Sequence, residues 1–129
     1  MTHYVFPQPL RLDQDKHLGG WLWSKKLLSP NTLKREAEHN TIRFPGPRRQ
    51  PELILFTIHF EHPTTESEPG FTKYATLNTL VHVIRRTYIN MYKDPITYGA
   101  TGNLSDLRLT GLTINERRRT VSLDVVKVP

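Results

Sequence analysis

The sequence predicts an α+β fold: a small antiparallel sheet, built from one strand at 53–60 and a C-terminal hairpin at 107–128, packed on one main helix at 73–92. Three observations carry this. Apolar residues alternate at period two through ELILFTIHF, recur at helical spacing from 77 to 88, and alternate again on both sides of the turn-forming run Asn115-Glu116-Arg117-Arg118-Arg119. An irregular, proline-rich basic arm precedes them, so the chain divides into an arm at 1–51 and an α+β core at 52–129.

The arm begins with prolines at 7 and 9, a Gly19-Gly20 pair and the cluster Trp21-Leu22-Trp23. Residues 1–28 therefore read as an extended segment with one apolar anchor. In extended chain Trp21 and Trp23 point the same way and make an apolar docking patch. The patch suits the protein's own core, a partner or, with Lys25-Lys26 beside it, a membrane interface. Ser29-Pro30 is a helix start, because serine can cap and proline suits the first helical position. A short helix at 30–39 follows, with Leu33 and Ala37 as its apolar stripe and Asn40 to close it. The stretch FPGPRRQP at 44–51 is a linker, since its prolines interrupt both kinds of ladder.

In the strand, Ile54, Phe56, Ile58 and Phe60 share one face, with Leu53, Leu55, Thr57 and His59 on the other. EHPTTESEPG at 61–70 is a loop by composition. In the helix, Leu77, Leu80, Val81, Ile84 and Tyr88 form the core stripe, while Asn78, Arg85 and Tyr92 lie on a wetter face. Asp94-Pro95 ends it, because the residue before proline is pushed out of the α region. ITYGATGNLSD at 96–106 is a loop. In the hairpin, Leu107 and Leu109 have one parity and Leu112 and Ile114 the other, which predicts a β-bulge at Gly111. Val121, Leu123 and Val125 alternate, then Val126 and Val128 switch face.

Charge narrows the partners. The net charge is +6, and residues 1–51 hold nine Lys/Arg against four Asp/Glu, a net of +5, whereas 52–129 hold nine against eight, a net of +1. Such a field suits nucleic acid or anionic lipid, or else a solubilising surface. The candidate anion-binding residues are Lys25, Lys26, Lys34, Arg35, Arg48, Arg49, Arg85, Arg86, Arg117, Arg118 and Arg119. The arginine run at the hairpin turn is the sharpest of them, since guanidinium groups grip phosphates in a forked geometry.

Chemistry finds less support. The chain has no cysteine, which excludes disulfides, thiolate nucleophiles and cysteine-bearing metal sites. No apolar run approaches the roughly 20 residues that span a bilayer, and the start lacks the pattern of a secretory signal, so the expectation is a soluble chain with peripheral membrane contact. His59-Phe60-Glu61-His62 is the obvious metal candidate, but it lacks the H-E-x-x-H spacing and reads as a strand-edge histidine pair. No nucleophile elbow, P-loop or dinucleotide glycine pattern occurs. Tyr74, Tyr88, Tyr92 and Tyr98 lack the surroundings of a base-stacking module. No enzyme activity, cofactor, metal or small-molecule substrate is expected.

Residues 52–95 carry a resemblance. The strand Phe56-Thr57-Ile58, the aromatic segment Phe71-Thr72-Lys73-Tyr74, the helix end Tyr88-Ile89-Asn90-Met91 and the run Tyr92-Lys93-Asp94-Pro95-Ile96 resemble the matrix proteins of negative-strand RNA viruses, rhabdovirus type and more distantly bornavirus type. The resemblance covers about a third of the chain. It implies a sheet packed on helices, self-association into a homo-oligomer, and binding to RNA or nucleocapsid and to the anionic inner leaflet. It implies a place in the virion, the host cytoplasm and the inner face of the membrane. A sheet this small also favours self-association. The expectation is a non-enzymatic viral assembly protein. The alternatives are a nucleic-acid-binding regulator, such as a silencing suppressor or replication accessory protein, and a small metal-dependent enzyme using His59, Glu61 and His62.

Overall fold

Leu107–Asn115 and Thr120–Lys127 form the predicted hairpin, and the rest of the sheet is built outward from it. In the computed structural model, which describes residues 1–14, 25–29, 32 and 53–128, the elements run β1 (Thr2–Arg11), β2 (Ile54–Leu55), β3 (Thr57–Phe60), β4 (Thr65–Ser67), β5 (Gly70–Phe71), α1 (Leu77–Lys93), α2 (Pro95–Tyr98), a 3-10 turn (Leu104–Asp106), β6 (Leu107–Asn115) and β7 (Thr120–Lys127). Among the described residues the sheet has five strands in the order β1-β6-β7-β3-β4, and β2 pairs separately with β5. The fold is α+β, as the sequence predicts.

Several details differ from expectation. The segment 61–70, expected to be a loop, carries β4, which pairs with β3, and the start of β5, because the reversal after Phe60 returns the chain along the open side of β3. The arm is not irregular throughout: Thr2–Arg11 is a strand on the edge of β6. It is drawn in because β6 has a second row of backbone groups to satisfy, and because Phe6 and the following Leu12 bury there. The strand at 53–60 is two strands, broken at Phe56. The Phe56 amide donates to the Pro69 carbonyl and the Thr57 amide to the Arg119 carbonyl, so the chain changes partners between those residues.

The sheet is mixed rather than wholly antiparallel, because β3 runs parallel to β7. Between them lie β4, α1 and β6, and successive reversals return the chain to its first direction, the long crossover that parallel pairing needs. The helix starts at Leu77, not 73. Thr76 is held extended (φ −108°, ψ 170°) because Lys26 bridges to it, with the Leu77 amide donating to the Lys25 carbonyl at 2.7 Å. After Asp94 the chain makes the extra helical turn α2, closed by Gly99 in the left-handed region (φ 70°).

The predicted stripe is the core. Leu77, Leu80, Val81, Ile84 and Tyr88 are buried against Ile58, Phe60, Leu107, Leu109, Leu112, Ile114, Val121, Leu123 and Val125. Each such side chain contributes about 1.5–3 kcal/mol when fully buried. Phe60 meets the Tyr88 ring edge-on at 5.3 Å. The bulge forms where parity predicts it: the β6–β7 register shifts between Leu109 and Gly111. A Cβ at 111 would lie 2.4 Å from the Tyr4 carbonyl oxygen of β1, so glycine is what allows β1 to close on the bulge. Val126 is exposed, on the opposite face from Val125, as the change of parity predicts.

Candidate anion-binding surface

Which end of the sheet each basic residue occupies follows from the topology. The β6–β7 turn lies at the start of β7 and, because β3 is parallel to β7, beside the start of β3. Tyr88 and Tyr92, late in α1, donate hydroxyl hydrogen bonds to the carbonyls of Glu61 and His62, just past the end of β3. The helix therefore ends at the far end and begins at the turn end. Lys25 and Lys26, bonded to its first turn, share that end with Arg117, Arg118 and Arg119.

The turn itself is built from local chemistry. Asn115 Oδ1 accepts the Arg118 amide at 3.2 Å, the side-chain turn that asparagine favours. Arg119 lies in the left-handed region (φ 53°) and sends its carbonyl to the Thr57 amide at 2.8 Å. On the other flank, the Thr32 hydroxyl donates to Glu116 Oε2 at 3.3 Å, and the Thr32 amide donates to Ser29 Oγ at 3.2 Å. The second bond is the cap expected of Ser29. Burial, and then the charge of Glu116, hold the Tyr4 hydroxyl above its ordinary pKa.

Among the described residues, the cations gathered here are Lys25, Lys26, Lys73, Arg117, Arg118 and Arg119, against the carboxylates Glu68 and Glu116. Lys26, Lys73, Arg117 and Arg118 are exposed, while Lys25 and Arg119 are half-buried. At the far end the charges are mixed: Arg11 holds Asp13 in a 2.8 Å ion pair, and the Arg11 guanidinium bond keeps that carboxyl below the usual range. Arg108 Nη1 turns onto the Leu107 carbonyl at 3.0 Å.

Of the sequence-predicted set, the fold brings together Lys25, Lys26, Arg117, Arg118 and Arg119. Arg86 is exposed but sits mid-helix, away from this end. Arg85 is a correction: it is 4% exposed, and its Nε donates to the Arg11 carbonyl at 2.9 Å. Lying four residues after Val81 and three before Tyr88, it falls at the edge of the core stripe and turns inward. Lys34, Arg35, Arg48, Arg49, Trp21, Trp23 and nearly all of the 30–39 helix lie outside the described residues. Lys73 was missed; as a single lysine before the helix it stands out only once α1 is oriented.

The histidine cluster is dispersed. His59 points to the solvent-facing side of the sheet, with Nδ1 3.0 Å from Glu66 Oε1. It belongs to a row crossing all five strands, His3, Thr113, Ser122, His59 and Glu66, with His3 Nε2 2.9 Å from Asp124 Oδ2 on the same face. Glu61 and His62 lie past the strand end in the tyrosine-held turn. Among the described residues no group of three or more His, Asp or Glu side chains could hold a metal ion. No helix among them is long and apolar enough to cross a membrane.

No family model, curated protein or solved structure matches the chain.

Proposed function

We propose that this chain is a non-enzymatic assembly protein of the viral matrix kind, which self-associates and binds RNA or nucleocapsid and anionic membrane through arginine and lysine. The observation that carries the reading is the gathering of Lys25, Lys26, Arg117, Arg118 and Arg119 at one end of the sheet from two segments about ninety residues apart in sequence. Near an anionic surface each such cation contributes about 1 kcal/mol, and together they make a binding face whose strength falls with salt. The resemblance over residues 52–95 supplies the assembly role, and with it the virion, the host cytoplasm and the inner face of the membrane as the sites of action.

Self-association has a place in the same reading. Among the described residues β1 is an edge strand, and its Pro7 and Pro9 have no amide hydrogen to donate. The reading places contact with a second copy at this edge, where Val5 is 66% exposed. The test is sedimentation of the purified chain, with and without RNA, across a salt series. The reading expects oligomers and RNA binding that weakens as salt rises; a monomer that binds neither RNA nor anionic vesicles at low salt defeats it.

A further inference from the structure

Three large apolar side chains stand in solvent at the arginine end. In β2 and its flanks Ile54 and Phe56 turn inward, leaving Leu53 57% and Leu55 55% exposed on the outer side. Opposite Leu55 the β5 strand carries Gly70, and a Cβ there would lie 3.0 Å from that of Leu53, so the missing side chain is the space Leu53 covers. In the turn before α1, Tyr74 is 70% exposed, with Lys73 Nζ 5.0 Å from its ring centre.

Single exposed leucines are ordinary; two from one ribbon, with an aromatic in the adjoining turn, form a patch. Its rim is mainly cationic, with Glu68, two residues before Gly70, as the exposed exception. Lys73 adjoins Tyr74, Lys26 bridges Thr76 two residues further on, and the arginine turn bonds Thr57 two residues after Leu55. A phosphate backbone uses the rim and has no use for aliphatic side chains, and bases stack on flat rings rather than on leucine. An anionic bilayer uses both: headgroup phosphates for the rim, and the headgroup–acyl boundary for the patch.

We infer that this end docks on an anionic lipid bilayer by inserting Leu53, Leu55 and Tyr74, with the exposed Lys26, Lys73, Arg117 and Arg118 on lipid phosphates. The inference rests on the polyanion-binding reading and adds to it a set of apolar residues that serve the membrane and not RNA.

The test floats the full chain with phosphatidylcholine vesicles, with and without phosphatidylserine, and titrates single-stranded RNA in parallel. The variants are Leu53→Ser/Leu55→Ser and, separately, Tyr74→Ala, which leaves the β2–β5 ribbon untouched. The expected result is phosphatidylserine-dependent flotation of the wild type, at least about tenfold weaker in the leucine double variant, with RNA affinity unchanged. Tyr74→Ala shows a smaller loss of the same kind. Flotation of both variants equal to the wild type overturns the inference, as does an equal loss of RNA binding. A wild type that binds RNA but no vesicle overturns the membrane inference alone; one that binds neither overturns the polyanion-binding reading with it.

Discussion

The two ends of the sheet each reverse the chain, and they differ in how far the core holds the turn. At the far end, the reversal after β3 is held from outside itself: Pro63 is buried, and Tyr88 and Tyr92 reach across from α1 to the carbonyls of Glu61 and His62. At the near end, the β6–β7 reversal is closed by its own Asn115 and tied to its neighbours at its flanks, where the Arg119 carbonyl accepts the Thr57 amide and Glu116 accepts the Thr32 hydroxyl. The side chains at its tip, Arg117 and Arg118, are left exposed. A turn locked by the core cannot change without disturbing the core; a turn that caps itself can carry any charge its surroundings require. The difference separates the part of the molecule that maintains the fold from the part available for binding.

The largest expected effect breaks the far end. Tyr88→Ala removes a fully buried ring that packs on Phe60 and should cost about 3–5 kcal/mol, read as a lower midpoint in chemical denaturation. The next tests the near end. Arg117→Ala/Arg118→Ala should leave stability within about 0.5 kcal/mol, yet weaken RNA or anionic-vesicle binding by about 2 kcal/mol, roughly thirtyfold, and flatten its salt dependence. If this pair unfolds the protein, or binding is unchanged, the contrast between the ends is wrong.

A gentler change at the far end sharpens the same contrast. Tyr88→Phe keeps the ring and removes the hydroxyl that bonds the Glu61 carbonyl, at a cost of about 1 kcal/mol near neutral pH. Burial holds this hydroxyl above the ordinary tyrosine value of 10.0. The folded state therefore keeps a proton that the unfolded chain has lost. The stabilisation is complete below pH 10.0 and drains away as pH rises above it. Denaturation measured from neutral to strongly alkaline pH should show this loss in the wild type and less of it in Tyr88→Phe; Tyr92, raised in the same direction by its own burial, keeps part of the slope. The smallest effect is expected from Asn115→Ala, which frees the Arg118 amide to bond water and should cost only about 0.5 kcal/mol, measured by the same denaturation.

Periodicity made the core stripe of α1, the hairpin and the bulge at Gly111 legible, because burial on one face constrains every third or fourth helical residue and every second strand residue. The same reasoning misplaced Arg85, since a residue bordering the stripe can turn either way, and its neighbour in space, the Arg11 carbonyl, is 74 residues distant in sequence. The strand Thr2–Arg11, at the edge of the sheet among the described residues, was hidden by its prolines, which break the usual strand signature but are tolerated in edge strands. In the candidate surface, the arginine run was legible as an exposed turn. Lys73, Leu53, Leu55 and Tyr74 were not, because nothing in their own spacing marks them.

By itself, then, the sequence determined the class of fold, the inward faces and the basic residues available for binding, all of which follow from local periodicity and composition. Tertiary structure alone decided that β3 runs parallel to β7, and hence that α1 starts at the arginine end. From that one choice of direction it follows that Lys25, Lys26, Lys73 and the arginine turn share a surface. Strand direction is set by which long-range hydrogen bonds close, and no short window of sequence contains both partners of such a bond.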